Sequence, residues 1–239
     1  MPVNLVLFEP SELSGARVRF QGRRADHVRT VLRSGEGDEV RIGVIGGCRG
    51  RGIVRAIQAS SVELDVELTD PPPPAFDVTL LLALPRPKCL RRILHFVASM
   101  GVKRLALYGT YRVEKSYWET PWLEPMAVRE QLVLGLEQAG DTALPVVTIH
   151  PLFKPFIEDT VPILTEGMRR LAAHPRDGTP CPANVAGPVA LAIGPEGGYT
   201  DYELNRLRDV GFALVTLGPR PLRTEHAVAA FLGRLAPLA

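Results

Sequence analysis

The sequence predicts an α/β protein of two domains, a small N-terminal β-barrel and a larger C-terminal α/β domain with a mostly parallel sheet. Short segments rich in β-branched residues dominate the first part of the chain, and apolar strands alternate with helical segments after it. The run Pro71–Pro74 separates the two patterns, because consecutive prolines fit neither a helix interior nor a central strand. We therefore expect a barrel at residues 1–70, a linker at 71–76 and an α/β domain at 77–239.

The N-terminal domain is expected to contain five short strands and one helix. Turns at Gly35–Asp38 and Gly46–Gly47 separate the strands. A helix is predicted at Asp26–Arg33, where three apolar residues share one face. The predicted strands are Val3–Phe8, Ala16–Phe20, Glu39–Ile45, Gly52–Ile57 and Val62–Leu68. A barrel of this size encloses little space, so its expected use is to present a surface.

The C-terminal domain is expected to alternate strands with helices. Val78–Leu84 is a continuous apolar run, which is typical of a strand buried on both faces. The helix after it should end at Gly101, a glycine suited to the position after a helix C-cap. The further predicted strands are Arg104–Tyr108, Val146–Ile149, Leu171–Ala173, Val189–Ile193 and Leu214–Leu217. The predicted helices are Lys88–Met100, Leu123–Ala139, Ile157–Thr165, Asp201–Val210 and Glu225–Leu235.

Composition and segment lengths exclude several classes of protein. Of the 239 residues, 46% are hydrophobic and 23% are charged, which is typical of a folded globular chain and excludes wholesale disorder. The chain has no apolar run of about 18 residues, so no transmembrane helix is predicted, and its N-terminus lacks a secretory-signal pattern. The cysteines Cys48, Cys89 and Cys181 are far apart, which predicts neither a disulfide framework nor a metal site. These features favour a cytoplasmic location.

The basic residues are unevenly distributed, although the net charge is only +2. Ala16–Arg55 contains ten arginines and four acidic residues, and Arg86–Lys115 contains eight basic residues and one acidic residue. Such segments favour a nucleic-acid partner, and the alternative is that they are ordinary solvated faces. Trp118 and Trp122 are expected to be packing residues, with base stacking as the alternative. The candidates for nucleic-acid contact are Arg23, Arg24, Arg29, Arg33, Arg86 and Lys88.

Two loops that follow predicted strands carry unusual sequences. Gly194–Thr200 contains three glycines and a proline, so its backbone amides are exposed and a ligand can approach closely. Thr200 and Glu203 have the spacing of a capping box, which predicts that the next helix begins there. The second loop, Leu217–His226, also leaves a strand and enters a helix, for which Thr224 is the predicted N-cap.

The position of these loops predicts a ligand site, because parallel α/β sheets bind ligands at the carboxyl ends of their strands. The chain contains neither the G-x-x-x-x-G-K spacing of a phosphate loop nor a G-x-G-x-x-G motif, so nucleoside triphosphates and dinucleotides are discounted. On local evidence alone, the first loop is equally well interpreted as a plain turn. Likewise, Arg220 and Arg223 beside Glu225 are compatible with a surface ion-pair cluster.

Five motifs are spread along nearly the whole chain, at Ile193–Gly198, Leu217–Glu225, His27–Arg33, Met100–Val102 and Glu137–Gly140. The two most specific are I-G-P-E-G-G and L-G-P-R-P-L-R-T-E near the C-terminus. Taken together, the motifs resemble the RsmE family of SPOUT-class RNA methyltransferases, which methylate N3 of a uridine in small-subunit ribosomal RNA.

The resemblance implies a PUA-like N-terminal barrel, a trefoil knot in the C-terminal SPOUT domain, and a homodimer that acts on ribosomal RNA or the small ribosomal subunit. It also implies S-adenosylmethionine as the cofactor, bound among the knot loops. Backbone amides and carbonyls of the glycine loops would read the edge of adenine, and Leu217 and Leu222 would pack on its faces. The implied cofactor residues are Leu84, Gly194, Pro195, Glu196, Gly197, Gly198, Leu217, Gly218, Leu222, Arg223 and Thr224.

The implied chemistry is transfer of a methyl group from a sulfonium to a uracil nitrogen that carries a proton. A nearby cation would stabilise the developing uracil anion, and Arg223 and Arg220 are the candidates. Glu225 or Glu196 would act as a general base or orient an arginine.

The chain departs from the family pattern in charges that flank the predicted site. Phe96 and Ser99 replace a lysine and a glutamate of the family's first α/β helix, and Asp141-Thr142 stand where the family tends to have arginine. These changes leave open a methyltransferase for a different ribosomal or transfer RNA site. A separate alternative is a non-catalytic RNA-binding or assembly protein, which would need a ruined cofactor site, and the two intact loops argue against it.

Overall fold

The computed structural model describes residues 5–176 and 178–236, which form two compact units. The first unit comprises the chain up to Pro74 together with Val133–Leu144. The second comprises Ala75–Leu132 and the chain from Pro145 onward. The sequence-based division places 133–144 in the α/β domain instead. Long-range contacts group this segment with the first unit, and local sequence patterns do not reveal such contacts. In the described part of the chain, no helix is both long and apolar enough to cross a membrane.

The first unit is built on a five-stranded sheet in the order β1-β3-β4-β5-β2. Its strands are β1 (Val6–Phe8), β2 (Arg17–Gln21), β3 (Glu39–Val44), β4 (Arg49–Ile57) and β5 (Ser61–Asp70). β1 pairs with β3 in parallel, and the other pairs are antiparallel. The β4–β5 pair has two register shifts, one between Arg49 and Gly50 and one between Val54 and Ala56. The five predicted strands are confirmed, except that Val3 and Asn4 lie outside the described residues.

The predicted helix of this unit begins earlier than expected. Helix α1 (Gly22–Asp26) continues directly into a π-helical segment, His27–Leu32. Arg33 ends it in the left-handed conformation, with φ of 56°. The apolar side of this segment joins one core with the inward-facing residues of the sheet. That core consists of Val6, Phe8, Val18, Phe20, Ala25, Val28, Val40, Ile42, Val44, Val54, Val62 and Leu64.

The E-Q-A-G motif belongs to the first unit and is held there by hydrogen bonds. The carboxylate of Glu137 accepts the backbone N–H of Leu7 at 3.1 Å and forms an ion pair with Arg23 at 2.9 Å. The carbonyl of Gly140 accepts a hydrogen bond from the Arg49 guanidinium at 2.9 Å. The motif therefore has a structural use within this unit.

The second unit contains a seven-stranded parallel sheet in the order β10-β12-β9-β11-β6-β7-β8. β7 and β8 lie in chain order on one side of β6. The strands β9 to β12 lie on its other side, where β11 is between β6 and β9. The strands are β6 (Phe76–Ala83), β7 (Val102–Tyr108), β8 (Val146–His150), β9 (Arg169–Ala173), β10 (Thr179–Pro180), β11 (Val189–Ile193) and β12 (Ala213–Thr216). The helices from here on are α2 (Pro87–Ser99), α3 (Pro125–Ala139), α4 (Phe153–Pro155), α5 (Val161–Leu164), α6 (Asp201–Asp209) and α7 (Thr224–Leu235). The residues of α3 from Val133 onward belong to the first unit.

Four local predictions need correction. Helix α3 begins at Pro125 rather than at Leu123, because proline is favoured at the first helical position, and a 3₁₀ turn precedes it. The predicted helix Ile157–Thr165 is instead the π-helical segment Phe156–Thr160 followed by the short helix α5, and α4 precedes both. The two-residue strand β10 was not expected. Thr224 is the first residue of α7 and not its N-cap, since Arg223 holds the extended cap conformation.

Candidate active site

A cavity of about 260 Å³ opens where three parallel strands of the second unit end. It lies at the carboxyl ends of β9, β11 and β12, so both predicted loops line a single cavity. The lining residues are Ala173, His174, Pro175, Ile193, Gly194, Pro195, Glu196, Gly197, Gly198, Tyr199, Thr216, Leu217, Gly218, Arg220, Pro221, Leu222, Thr224, Ala227 and Phe231.

The loop after β11 needs glycine for two different reasons. A Cβ atom on Gly194 would come within 3.1 Å of the Tyr199 ring, so only a hydrogen fits there without a shift. Gly198 has φ of +73° and donates its N–H to the carbonyl of Pro195 at 2.8 Å, which closes a tight turn. The loop is therefore a defined turn that presents its backbone to the cavity.

Tyr199 ties this loop to the interior of the sheet. Its hydroxyl shares a hydrogen bond with the hydroxyl of Tyr108 at the end of β7. Burial raises the pKa of both phenols, so both stay protonated at neutral pH. The Tyr108 ring also packs on Phe156 with the centroids 5.0 Å apart. One wall of the cavity is thus anchored in the aromatic core.

The predicted capping box at the start of α6 is confirmed, and its glutamate makes a further contact. The carboxylate of Glu203 is 2% exposed and accepts the backbone N–H of Thr200 at 2.8 Å, while Thr200 Oγ1 accepts the N–H of Glu203 at 3.3 Å. The other carboxylate oxygen accepts the backbone N–H of Tyr111 at 2.7 Å. Glu203 therefore connects the loop after β11 to the loop after β7.

Two contacts from other loops fix Glu196 and Gly197. Glu196 Oε1 accepts the backbone N–H of Arg86, the N-cap of α2, at 3.0 Å. A carboxylate at a helix N-terminus is stabilised by the helix dipole as well as by the hydrogen bond. The carbonyl of Gly197 accepts a hydrogen bond from the guanidinium of Arg112. Both partners lie outside the glycine loop itself.

The second loop presents apolar side chains above a compact turn. Thr216 Oγ1 accepts the N–H of Gly218 at 3.1 Å, and Gly218 has φ of +119°, which favours glycine. Leu217 and Leu222 are 38% and 47% exposed although they line the cavity. Exposed leucines at a cavity are suited to pack against a flat apolar group.

The charged candidates lie at the start of α7 and just before it. Arg220 lines the cavity, and Arg223 is exposed at the N-cap of α7. Burial acts to raise the pKa of the Glu225 carboxyl. Its own backbone amide, the Cys89 thiol and the charges of His226 and Arg223 outweigh this and hold the pKa below its usual value. Glu225 is thus an anion at neutral pH.

Leu84 does not line the cavity. It is fully buried just after β6, and its N–H donates to the carbonyl of Tyr108 at 2.9 Å. Sequence reasoning missed His174 and Pro175, which follow β9, and Ala227 and Phe231 on α7. The sequence predicted the strand that ends at Ala173, but it did not predict that this strand lies between β11 and β12.

The predicted nucleic-acid contacts are in different local states. Arg23, Arg24 and Arg29 form ion pairs with Glu137, Glu12 and Asp26 respectively, all within the first unit. Arg33 is the left-handed residue that ends the helical segment. Arg86 and Lys88 are exposed at the start of α2. A phosphate would have to compete with these carboxylates for the first three guanidiniums.

Comparison with known proteins identifies the family. The RNA methyltransferase domain family matches residues 71–236. Ribosomal RNA small subunit methyltransferase E of Treponema pallidum is 32% identical over 235 residues, covering 95% of this chain and 88% of the relative. This chain belongs to the RsmE family. Ribosomal RNA small subunit methyltransferase E 1 of Borreliella burgdorferi, another RsmE relative, is 22% identical over 95% of each chain.

A solved RsmE structure shares the fold. Ribosomal RNA small subunit methyltransferase E of Neisseria gonorrhoeae, crystallised with S-adenosylmethionine, superimposes with a TM-score of 0.76 at 20% identity and covers 95% of each chain. This chain therefore shares the fold of that RsmE structure over 95% of its length.

Proposed function

We propose that this RsmE-family chain transfers the methyl group of S-adenosylmethionine to N3 of a uridine in the 16S RNA of the small ribosomal subunit. The observation that carries the proposal is the cavity at the ends of β9, β11 and β12, where the two glycine-proline loops meet. The names of the RsmE relatives support ribosomal RNA as the substrate.

The lining residues fit the cofactor. Leu217, Leu222 and Phe231 supply apolar surface for adenine, and the glycine loops supply backbone amides and carbonyls for its edge. Arg220 brings a positive charge to the rim, which matches the carboxylate of the methionyl part. When bound, S-adenosylmethionine supplies an electrophilic methyl group on a positively charged sulfur.

The cations beside the cavity are the proposed catalytic residues. The N3 nitrogen of uracil is a poor nucleophile until its proton leaves, so a positive charge near the developing anion lowers the barrier. We assign this charge to Arg220, which lines the cavity, and to Arg223, which is exposed at the N-cap of α7 and is not among the lining residues. Glu225 has a lowered pKa, which makes it a weak proton acceptor, so we assign it the orientation of Arg223 rather than proton removal. The N3 proton is then accepted by water at the open side of the cavity.

Glu196 is proposed to position the cofactor loop. Its carboxylate is already engaged by the backbone N–H of Arg86, so the side chain holds the loop after β11 to the start of α2. This contact favours a structural role over the role of general base. Gly194, Pro195, Gly197, Gly198 and Thr224 are proposed cofactor contacts through their backbone or small side chains.

Finer features of the fold are proposed with the function. The insertion of β11 between β9 and β6 supports a trefoil knot in the C-terminal region, and the first unit supports a PUA-like RNA-binding barrel. We also propose that the chain acts as a homodimer in the cytoplasm, where it meets ribosomal subunits. Sedimentation of the purified protein at micromolar concentration tests the dimer.

Methyl transfer from labelled S-adenosylmethionine to small ribosomal subunits tests the function. The subunits come from a strain that lacks this protein, large subunits and transfer RNA serve as controls, and mass spectrometry identifies the methylated nucleoside. N3-methyluridine in the small subunit is expected. A different methylated nucleoside in the small subunit would assign another target atom. Transfer to a control RNA would assign another RNA target. A thermal shift reports cofactor binding independently, since S-adenosylmethionine at 100 times its Kd stabilises by about 2.7 kcal/mol. No shift would favour a non-catalytic RNA-binding protein.

A further inference from the structure

Tyr111 is the most exposed large hydrophobic side chain in the described part of the chain. Its relative exposure is 85%, and it lies in the loop that follows β7. An exposed aromatic ring in a mobile loop carries little information. Here, however, the backbone on both sides of the ring is held by specific contacts.

Glu203 holds the backbone of this residue. The Tyr111 N–H donates to Glu203 Oε1 at 2.7 Å, and the Glu203 carboxylate is itself buried in the capping box of α6. Because the acceptor is buried and fixed, the ring is presented from a defined backbone position. The loop before it is equally constrained, since a Cβ atom on Gly109 would come within 2.0 Å of the Pro151 carbonyl oxygen.

Arg112 connects the same loop to the rim of the cavity. Its guanidinium donates a hydrogen bond to the carbonyl of Gly197, one of the lining residues, and the side chain is otherwise exposed. A guanidinium has five N–H donors in a fixed fork, so most of its donors stay available for a phosphate. Tyr111 and Arg112 are thus consecutive exposed residues, and the guanidinium of Arg112 lies next to the cofactor loop.

The other aromatic residues of this region are already engaged. Trp122 is covered by the Arg91 guanidinium, 5.3 Å from the ring centroid. Trp118 lies beside Gly109, and the hydroxyl of Tyr117 donates to Glu114 at 2.9 Å. The tryptophans that the sequence offered for base stacking thus serve in packing, and the open ring is that of Tyr111.

We propose that Tyr111 is a stacking platform for a base of the substrate RNA and that Arg112 contacts the adjacent phosphate. Single-stranded RNA is recognised by bases stacked on aromatic rings, with basic side chains along the backbone. This pair would hold the nucleotide beside the target uridine while the target enters the cavity. The inference rests on the proposed RNA-methylating function and names two residues that set its substrate contact.

Binding of a labelled, uridine-containing single-stranded RNA to the full chain tests the stacking role directly. Tyr111→Ala is expected to weaken binding about 10-fold, within the range that one base–aromatic stack supports, whereas Tyr111→Trp keeps the affinity. S-adenosylmethionine binding should stay unchanged in both variants. Tyr202→Ala is the matched control, because that exposed tyrosine lies on α6 with its ring already near the Arg206 guanidinium.

The salt dependence of the same binding tests Arg112. Arg112→Ala should reduce the slope of log affinity against log salt by about 0.7, the value for one phosphate contact on a single strand. Arg112→Lys keeps the positive charge and should retain most of the parent chain's slope. Equal RNA affinity of Tyr111→Ala and the parent chain overturns the stacking role. An unchanged salt slope in Arg112→Ala overturns the phosphate contact.

These results are separate from the proposed function. If the parent chain methylates small subunits and Tyr111→Ala binds RNA normally, the inference fails and the function stands. If the parent chain transfers no methyl group but loses RNA affinity on Tyr111→Ala, the function fails and the RNA contact stands. A matching rise in KM for the subunit without a change in kcat would place the contact on the reaction path.

Discussion

The hydroxyls of Tyr108 and Tyr199 share one hydrogen bond in the interior of the α/β unit. This bond joins the end of β7 to the wall of the cavity, and the Tyr199 ring in turn lies against Gly194. The shape of the glycine loop is therefore set by a buried tyrosine pair and not by the loop sequence alone. Changes to the pair should reach the cofactor site.

Tyr199→Phe is expected to destabilise the protein by about 1–3 kcal/mol, because it leaves the buried Tyr108 hydroxyl without its partner. Tyr108→Phe should destabilise the protein by a similar amount, because it leaves the buried Tyr199 hydroxyl without its partner. The double variant should cost less than the sum of the two, since both polar groups are then gone. Urea unfolding of the three variants measures the coupling. Strict additivity would show that the two hydroxyls do not depend on each other.

Gly194→Ala is expected to lower the affinity for S-adenosylmethionine. The new Cβ would come within 3.1 Å of the Tyr199 ring, which cannot easily move because its hydroxyl is tied to Tyr108. Overpacking of this kind costs about 1–3 kcal/mol. Gly233→Ala is the matched control, since its Cβ meets open space in α7, and there a gain in stability is expected. Isothermal titration gives both affinities, and equal affinities would contradict the steric argument.

The glycine loops were predictable from the sequence because their chemistry is local. Three glycines after a buried strand, followed by the Thr200–Glu203 spacing, predicted both the turn and the helix that follows it. His174 and Phe231 reach the cavity only through the order of the strands and the placement of α7, which short-range patterns do not contain. Leu84 was placed in the site on family resemblance, whereas its apolar strand buries it in the core.

The same distinction holds for the first unit. Its five strands follow from alternation and turn residues, yet the grouping of 133–144 with them depends on contacts such as Leu7 to Glu137 that are distant in sequence. The predicted N-cap of α7, Thr224, was wrong by one residue. Thr224 has a good capping side chain, but it is 3% exposed and already helical, so Arg223 takes the cap position.

The Glu12–Arg24 ion pair should make stability depend on pH in the acidic range. Its hydrogen bond with Arg24, at 2.6 Å, holds the pKa of the Glu12 carboxyl below its usual value of about 4.3. The pair therefore stabilises the fold fully above that usual value, and this contribution is lost as pH falls through the lower folded-state pKa. The melting-temperature difference between the parent chain and Glu12→Gln should shrink below about pH 4. A melting-temperature difference that stays constant down to about pH 2 would contradict this role of the pair.

Variants of Glu196 separate a positioning role from a proton-transfer role. Glu196→Gln keeps an oxygen that accepts the Arg86 N–H, whereas Glu196→Ala removes it. If the side chain positions the loop, Gln should retain most of the cofactor affinity and turnover, and Ala should lose both. Cofactor titration and single-turnover methyl transfer measure the two quantities. Loss of turnover in Glu196→Gln with normal cofactor affinity would instead assign proton removal to Glu196.

Arg223→Ala tests the proposed stabilisation of the uracil anion. The guanidinium sits exposed at the N-cap of α7, so its removal should leave the fold and the cofactor affinity nearly unchanged. Loss of one group that stabilises developing charge lowers kcat by about 10²–10³-fold. Arg220→Ala, made in parallel, shows whether the cation that lines the cavity shares this role or acts mainly in cofactor binding. Because N3 reacts as an anion, raising the pH should partly restore turnover in Arg223→Ala. Normal turnover of Arg223→Ala with S-adenosylmethionine bound would remove Arg223 from the mechanism.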